Sequence, residues 1–528
     1  MVKLNKIATY LNQYITGAVY DAPNVLEAYA TDCSVLKIRP RVVALPKTTH
    51  DVRQLVRFSN QLAIRNFKLP ITVRGTGLDK TGAAIGSGMI VSMEAMNNIQ
   101  EIDQRQRLVR VQTGVTLGQL NSALSLQGLV LPVSGDPRQT IGGLLANDYT
   151  GALAGKYGQL KERVSQAEIV LSNGDLVQTE RLSPRQFNKK KGIVGLEGEL
   201  YRKLDHLLTD NEGTPERVAG RTGYPGLDQA KAKNGSFDLL PIFFGSQGTL
   251  GIITEVIISC ELMVDPPEYF VAAYADVSAG LDFMRQTSEL DPSEINFYDL
   301  TLLKETIASG KAFRALKHLP DNGILVVVSF DDFNNRRRRK KLKTIAKLNQ
   351  ARHFAVSTPE NYGDFVELSS IMSVYLNSLT RAVRAPLVDN TFIPETQLKK
   401  YFSGLVELEQ KHGISLPVFG SFLSDDYSVR PEIDLTSVTG RQFVLAFLRD
   451  YNELVNACDG SLAGGSAEGR LKAVCTNSYL STELALIYQE LKTLFDPNEI
   501  FNPNIKLDAS LRSVVRQLRT SYNSGITA

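Results

Sequence analysis

The chain has 528 residues, 43% of them hydrophobic and 22% charged, a size that predicts two or three domains and a balance that excludes a disordered, collagen-like or fibrous protein. Its 59 basic and 56 acidic residues leave a net charge of +3, so bulk attraction to nucleic acid or membrane is not the expected main function and a small-molecule site is. No apolar run approaches the roughly 18 residues that cross a bilayer. The start MVKLNKIATYLNQYITG lacks the hydrophobic segment of a secretory signal, so a cytoplasmic location is expected. Cys33, Cys260, Cys458 and Cys475 form no C-x-x-C pair, and the 5 histidines have no metal-binding spacing. Neither a disulfide framework, a zinc ribbon nor an iron–sulfur cluster is predicted.

In chain order, RVVALP (41–46) reads as a strand and DVRQLVRFSNQLAI (51–64) as a helix with Val52, Leu55, Val56 and Leu62 on one face. ITVRG, GMIVSM and RLVRVQTG follow as strands, then a helix from Thr116 carrying Leu117, Leu120, Leu124 and Leu126. Asn173-Gly174 between AEIVLS and DLVQT predicts a two-residue hairpin turn with positive φ at both positions. Residues 182–236 are rich in Gly, Lys and Asn and read as an insertion; GSQGTLGIITEVIIS (245–259) returns to turn and strand. After Pro266-Pro267 a second α/β unit is expected, containing GILVVVSF and LKTIAKLNQ. The run Arg336 to Lys341 reads as a solvated helix start rather than a nucleic-acid patch, because no stacking aromatics accompany it. The helices RQFVLAFLRDYNELVNA and TELALIYQELKTLF flank a glycine-rich stretch at 460–469 and precede the turn DPNEIFNPN. In the tail, Leu511, Val514, Val515 and Leu518 share a helical face. That face is expected to dock on its own chain, with peripheral membrane contact as the alternative.

Arg74-Gly75-Thr76-Gly77-Leu78-Asp79-Lys80-Thr81-Gly82 follows a predicted strand, where glycines let backbone N–H groups close around phosphates. It is neither G-x-G-x-x-G, because Lys80 stands at the third glycine, nor a P-loop, because Ala83-Ala84 stand where Lys-Ser/Thr is required. A plain turn remains the alternative for this loop alone. A second cluster, Thr140-Ile141-Gly142-Gly143 with Asn147, Gly151 and Tyr157-Gly158, makes a diphosphate cradle the stronger reading.

These segments, with VRVQTGVTLGQLNSAL (109–124), EIVLSNGDLV (168–177) and GSQGTLGIITE (245–255), resemble in order and spacing the FAD-binding domain of the p-cresol methylhydroxylase and vanillyl-alcohol oxidase superfamily. ATDCS, RPRVVALP, RTGYPGL and LKTLFDPNEIFNP resemble its D-lactate, glycolate and D-2-hydroxyglutarate dehydrogenase branch, over about residues 25–506. The resemblance implies an α+β fold: a two-subdomain FAD-binding domain over 1–265, an α/β cap domain over 266–430, and a C-terminal segment over 431–506 that returns to the flavin, followed by a helical tail over 507–528. It implies noncovalent FAD, since residues 65–160 hold no His or Cys to tether it. The implied cofactor residues are Arg74, Gly75, Thr76, Gly77 and Leu78 on the pyrophosphate, Thr140, Ile141, Gly142, Gly143, Asn147 and Gly151 on the other side, Ile253 at a ring edge, and Asn502 from the C-terminal turn.

The dehydrogenase branch holds a divalent metal with G-H-x-x-x-G-N-x-H-x-x-P and G-E-H-G, the last histidine acting as base. Here the first motif corresponds to Gly420-Ser421 through Ser428-Val429-Arg430-Pro431, and the second to Gly464-Gly465-Ser466-Ala467. Ser421, Ser428, Gly465 and Ser466 therefore stand where the resemblance expects ligands and base, and no metal is expected. Gln247 replaces the Glu of GSEGTLG, and Asp389-Asn390 precede Pro394 where relatives have Glu-Asp. Asp425, Asp426, Tyr427 and Glu468 are possible replacement bases, each set against a plain structural role. Arg381 and Arg384 are possible clamps for a substrate carboxylate. Arg381, Asp389 and Glu468 are the catalytic candidates. The expected function is an FAD-dependent oxidoreductase taking a hydride from a small hydroxy substrate and passing electrons to an external acceptor, a quinone, oxygen or an iron–sulfur protein. The alternative is a noncatalytic FAD-binding subunit.

Overall fold

In the computed structural model, which describes residues 6–211, 222–308, 313, 319–369 and 384–520, the β-rich runs of the first half form two larger sheets and a two-stranded one, Leu129–Val130 with Glu261–Leu262. Val42–Leu45, Met89–Ser92 and Ile71–Arg74 lie parallel, and Ala18–Tyr20 adds antiparallel to the first of them. Parallel neighbours need a crossover, and the helix Thr49–Ile64 supplies it. Thr48 caps that helix by accepting the Asp51 N–H at 3.2 Å, and its buried Val52, Leu55 and Val56 pack on Ile71, Met89 and Val91.

The second sheet is antiparallel, in the order Ile99–Asp103, Leu108–Gln112, Ile252–Ser259, Val164–Val170, Leu176–Thr179. The hairpin at Asn173-Gly174 forms, but only Gly174 is left-handed, at φ +80°. The Asn173 side chain instead accepts the Asp175 N–H at 2.8 Å, a local bond that satisfies the turn without positive φ at Asn173. Helices Pro184–Lys191 and Leu196–Asp210, inside the expected insertion, bury Phe187, Leu200 and Leu204 in the same core as Leu484, Ile487 and Leu491 of Thr482–Phe495.

The second half builds a seven-stranded antiparallel sheet in the order His353–Val356, Glu268–Tyr274, Ile324–Phe330, Glu294–Asp299, Val418–Ser421, Asp426–Val429, Thr391–Phe392. Phe270, Ile295, Phe297, Val326 and Val328 on one face pack with residues of the helices Val277–Ser288, Asn335–Leu348, Leu398–His412 and Val438–Ala457. The basic run lies on Asn335–Leu348 and is not wholly solvated. Arg338 is buried and donates to the Pro266 carbonyl at 2.6 Å, which pins the start of the cap to its helix.

The tail docks on its own chain. Val514 and Leu518 join the large core, Leu518 bridges Leu36, and Arg519 donates through Nε to the Leu36 carbonyl at 2.9 Å. Among the described residues no helix is long and apolar enough to cross a membrane.

Candidate active site

Where the strand Ile71–Arg74 ends, the chain turns through Gly75-Thr76-Gly77 against the start of the helix Ile141–Ala146. A Cβ on Gly75 would lie 2.2 Å from Thr140 Oγ1, and Thr140 already caps the helix by accepting the Gly143 N–H at 3.2 Å. Gly77 sits at φ +79°, and a Cβ there would lie 2.1 Å from Arg74 Nη2. Both positions are closed to any side chain, by close approach at Gly75 and by conformation at Gly77. Gly142 backs onto Thr113 in the same way, at 2.7 Å from its Cβ. The result is a cavity between the two larger N-terminal sheets, with Gly75, Gly77, Gly142, Gly143, Gly248 and Gly251 in its wall.

Of the residues singled out from sequence, Arg74, Gly75, Thr76, Gly77, Leu78, Thr140, Gly142, Gly143, Asn147 and Ile253 all line this cavity. Ile141 points the other way, fully buried in the core. Gly151 lies off the cavity wall, where its carbonyl accepts the Ser424 hydroxyl at 3.0 Å and so ties this domain to the cap. Asn502 is 1% exposed. It holds the wall from behind, accepting from Thr72 Oγ1 at 2.9 Å and donating to the Ala83 and Gln247 carbonyls at 3.0 and 2.8 Å. Gln247 needs to be an amide here, because it donates to Asn147 Oδ1 at 2.7 Å while accepting the Gly469 N–H at 3.0 Å. A carboxylate could not do both.

The donor set fits a long anionic cofactor. Arg74 donates Nη1 to the Thr31 carbonyl at 2.8 Å and lies over the Tyr29 ring at 5.0 Å, yet its buried Nε has no hydrogen-bond partner. A buried guanidinium N–H without a partner is costly unless a ligand supplies one.

The cavity continues into a cleft of about 1090 Å³, the two sharing Arg74, Thr76 to Asp79, Gln139 and Asn147. Its far wall is the cap sheet, with Glu294, Asn296 and Tyr298 from one strand and Ser421, Asp426, Ser428 and Arg430 from the next two. Burial pushes the Glu294 carboxyl up to about 7, the nearby Asp331 adding to it and a hydrogen bond from Asn296 Nδ2 at 2.7 Å opposing it.

Arg381 lies outside the described residues. Asp389 lines the cleft but is engaged: its Oδ2 accepts from Arg430 Nη2 at 2.5 Å and Lys80 Nζ at 2.8 Å. Burial alone would raise its carboxyl, and those two cations outweigh burial and hold it below the usual carboxylate range. Glu468 is fully buried away from the cleft, accepting the Gly223 N–H at 2.8 Å and Lys506 Nζ at 2.9 Å. Arg384 is paired with Glu305 at 2.9 Å through Nε. Asp425 and Tyr427 do not line the cleft; burial pushes Asp425 up to about 6 and Tyr427 well above a normal phenol.

Asp426 does line it, its Oδ2 accepting from Asn390 Nδ2 at 2.8 Å beside Gly465. Ser428 Oγ accepts the Asn390 N–H at 3.0 Å. Among the described residues no three His, Cys, Asp or Glu side chains are grouped to hold a metal ion. Two cleft residues escaped the sequence reading. Glu294 belongs to a polar alternation, Glu294, Asn296, Tyr298, interleaved with buried Ile295 and Phe297. Lys472 is one of two charges, with Arg470, in a mostly buried short helix, Gly469–Thr476.

The FAD binding domain family matches residues 40–180, and the C-terminal domain of FAD linked oxidases matches residues 267–505. The chain is 25% identical over 500 residues to D-2-hydroxyglutarate dehydrogenase of Escherichia coli, covering 90% of this chain and 49% of that protein. It thus spans about half the length of the D-2-hydroxyglutarate dehydrogenases it matches. It is 22% identical over 491 residues to D-lactate dehydrogenase of Archaeoglobus fulgidus, covering 90% of this chain and 95% of that one. In fold it matches 4-ethylphenol oxidase from Gulosibacter chungangensis, with a TM-score of 0.68 at 14% identity over 96% of this chain and 97% of that one. Loops 74–79 and 139–147 of the cavity fall in the first matched domain, and the cap wall of the cleft falls in the second. The chain therefore carries an FAD binding domain followed by the C-terminal domain of FAD linked oxidases.

Proposed function

We propose that this chain is an FAD-dependent oxidoreductase that oxidises the hydroxyl of a small hydroxy acid, holds its flavin noncovalently, uses no metal, and passes electrons to an acceptor outside the chain. The observation that carries this reading is the continuity of the glycine-walled cavity with a polar cleft under the cap sheet. Bound FAD supplies the acceptor for the hydride and its electron pair. The rest falls to side chains. Arg74 to Leu78 and Thr140 to Gly143 approach the cofactor through backbone, with the Arg74 guanidinium beside them. Glu294 takes the hydroxyl proton as the carbonyl forms, because a carboxyl poised at about 7 is part ionised at neutral pH and still basic enough to accept it. Its oxygen Oε2 is oriented by Asn296. Serine or glycine at 421, 428, 465 and 466 supports proton removal without a Lewis acid, since hydroxyls are poor ligands for zinc or manganese. Cys33, the cysteine on the cleft wall, has its thiol pushed by burial up to about 11, a poor nucleophile for tethering a flavin.

The test is anaerobic. Purified protein is expected to be yellow, to release its flavin on acid precipitation, and to bleach with one of D-lactate, glycolate or D-2-hydroxyglutarate. Protein that takes up FAD but bleaches with no hydroxy acid is the noncatalytic flavin-binding subunit instead.

A further inference from the structure

Several cations near the cleft are matched to carboxylates, while the buried Arg470 is held by carbonyl oxygens. Arg430 and Lys80 share Asp389, Lys506 meets Glu468, and Arg384 meets Glu305. Lys472 has no such partner. It is 1% exposed and lies on the cleft wall. Its Nζ donates to the carbonyls of Asp389 and Leu462, the latter at 2.9 Å, and no carboxylate oxygen of a described residue lies within 4.0 Å of it. An ammonium has three donors, and the two carbonyls take two. A buried charge without a counter-ion is costly, and the cost falls when an anion arrives. Asp389 acts on it from beyond ion-pair distance, with Oδ2 shared by Arg430 and Lys80. The same cleft wall carries small hydroxyl side chains, Ser421, Ser428 and Ser466, which can bond to a ligand.

We propose that Lys472 anchors the carboxylate of the substrate, making it the residue by which the cleft selects an anionic hydroxy acid over a neutral alcohol. The anchor rests on the flavin-linked reading of the cleft and deepens it. Burial pulls the ammonium down to about 8, with the Asp389 and Asp426 charges acting the other way, so it is still charged at neutral pH.

The experiment uses the yellow holoprotein and two probes of one shape, oxalate and its uncharged diamide oxamide, each titrated while the flavin absorbance is followed. Oxalate is expected to perturb the flavin saturably and to bind more tightly than oxamide by roughly tenfold or more. Lys472→Met is expected to lose that preference while keeping its FAD content and its oxamide affinity, and Lys472→Arg to recover most of it. Oxalate that binds no better than oxamide to the native protein overturns the proposal without any variant. So does a Lys472→Met protein that keeps its full oxalate preference, or one that loses both probes equally. Failure of the protein to take up FAD sinks the broader functional reading and is seen before any probe is added.

Discussion

The carboxylate of Asp426 fills the space that a side chain on residue 465 would need: a Cβ on Gly465 would lie 2.3 Å from Asp426 Oδ2 and 2.4 Å from its Cγ. Asn390 fastens the two together, bonding Asp426 Oδ2 through its side chain at 2.8 Å and accepting the Gly465 N–H at 3.1 Å through its carbonyl. Any side chain at this position and the aspartate present here compete for one volume. Placing a glutamate there alone is therefore not a step toward a metal site.

Gly465→Ala is expected to destabilise the protein by about 1–3 kcal/mol, the usual cost of forcing a group into a packed site. Much of that loss should disappear in the Gly465→Ala, Asp426→Ala double variant, because neighbours that share a volume are not additive. Thermal unfolding of the four proteins closes the cycle, and additive losses would refute the steric account. Elemental analysis of Gly465→Glu should find no tightly bound zinc or manganese.

Gly75→Val and Gly77→Val are each expected to abolish FAD binding while leaving the fold largely intact. The reasons differ: at 75 the branched side chain drives into Thr140 Oγ1, whereas at 77 it must also adopt φ +79°, which β-branched residues avoid. The flavin-to-protein ratio after purification with added FAD is the measure. Normal flavin content in both variants would move the phosphate site elsewhere.

The cradle was legible in the sequence for the same reason that these variants are damaging: left-handed backbone and sub-van der Waals approach leave glycine as the residue that fits. The helix Thr49–Ile64 was legible because its buried face follows the helical period. The catalytic side chains were not, because their roles depend on partners far away along the chain. Asp389 and Glu468 looked available in isolation, and each is claimed by cations brought from elsewhere, Lys80 for the first and Lys506 for the second. Glu294 becomes interesting only through its place on the cleft face of the cap sheet. Its alternation with Ile295 and Phe297 was the signal within reach, since polar residues at every second position of a central strand must face something polar.

Glu294→Gln keeps the shape and removes the base, so hydride transfer to the flavin is expected to slow by roughly 10²–10⁴-fold. Rapid-mixing measurement of flavin bleaching with the best hydroxy acid reads this directly. The same group makes a stability prediction. Its folded value of about 7 lies above the ordinary carboxylate value near 4.5, so between those two the folded chain retains a proton that the unfolded chain has released. Stability from this group is present in acid and lost as pH rises through about 7. Glu294→Gln does not titrate, and its unfolding temperature relative to the native protein should therefore climb from pH 5 to pH 8. A constant difference across that range would mean that Glu294 is ionised as easily when folded as when unfolded.

Lys472, at about 8, and Glu294, at about 7, line one cleft, so both contribute to the pH profile of anion binding. Lys472, near 8 when free, must be protonated to attract oxalate, so affinity should fall as pH rises through about 8. Because bound oxalate itself holds the proton on, the slope should approach tenfold per pH unit above that value. Of the charges that act on Lys472, that of Asp389 is held ionised by Arg430 and Lys80 across this range. Glu294 acts below it: protonation through about 7 removes a negative charge from the cleft, so oxalate should bind more tightly still toward pH 6. The two variants separate the steps. Glu294→Gln should flatten the profile below neutrality and leave the alkaline fall, whereas Lys472→Met should remove the alkaline fall and leave the acid rise. Oxalate titrations of the three holoproteins from about pH 6 to about pH 10 decide the matter, and an alkaline fall that survives in Lys472→Met would assign it to another group.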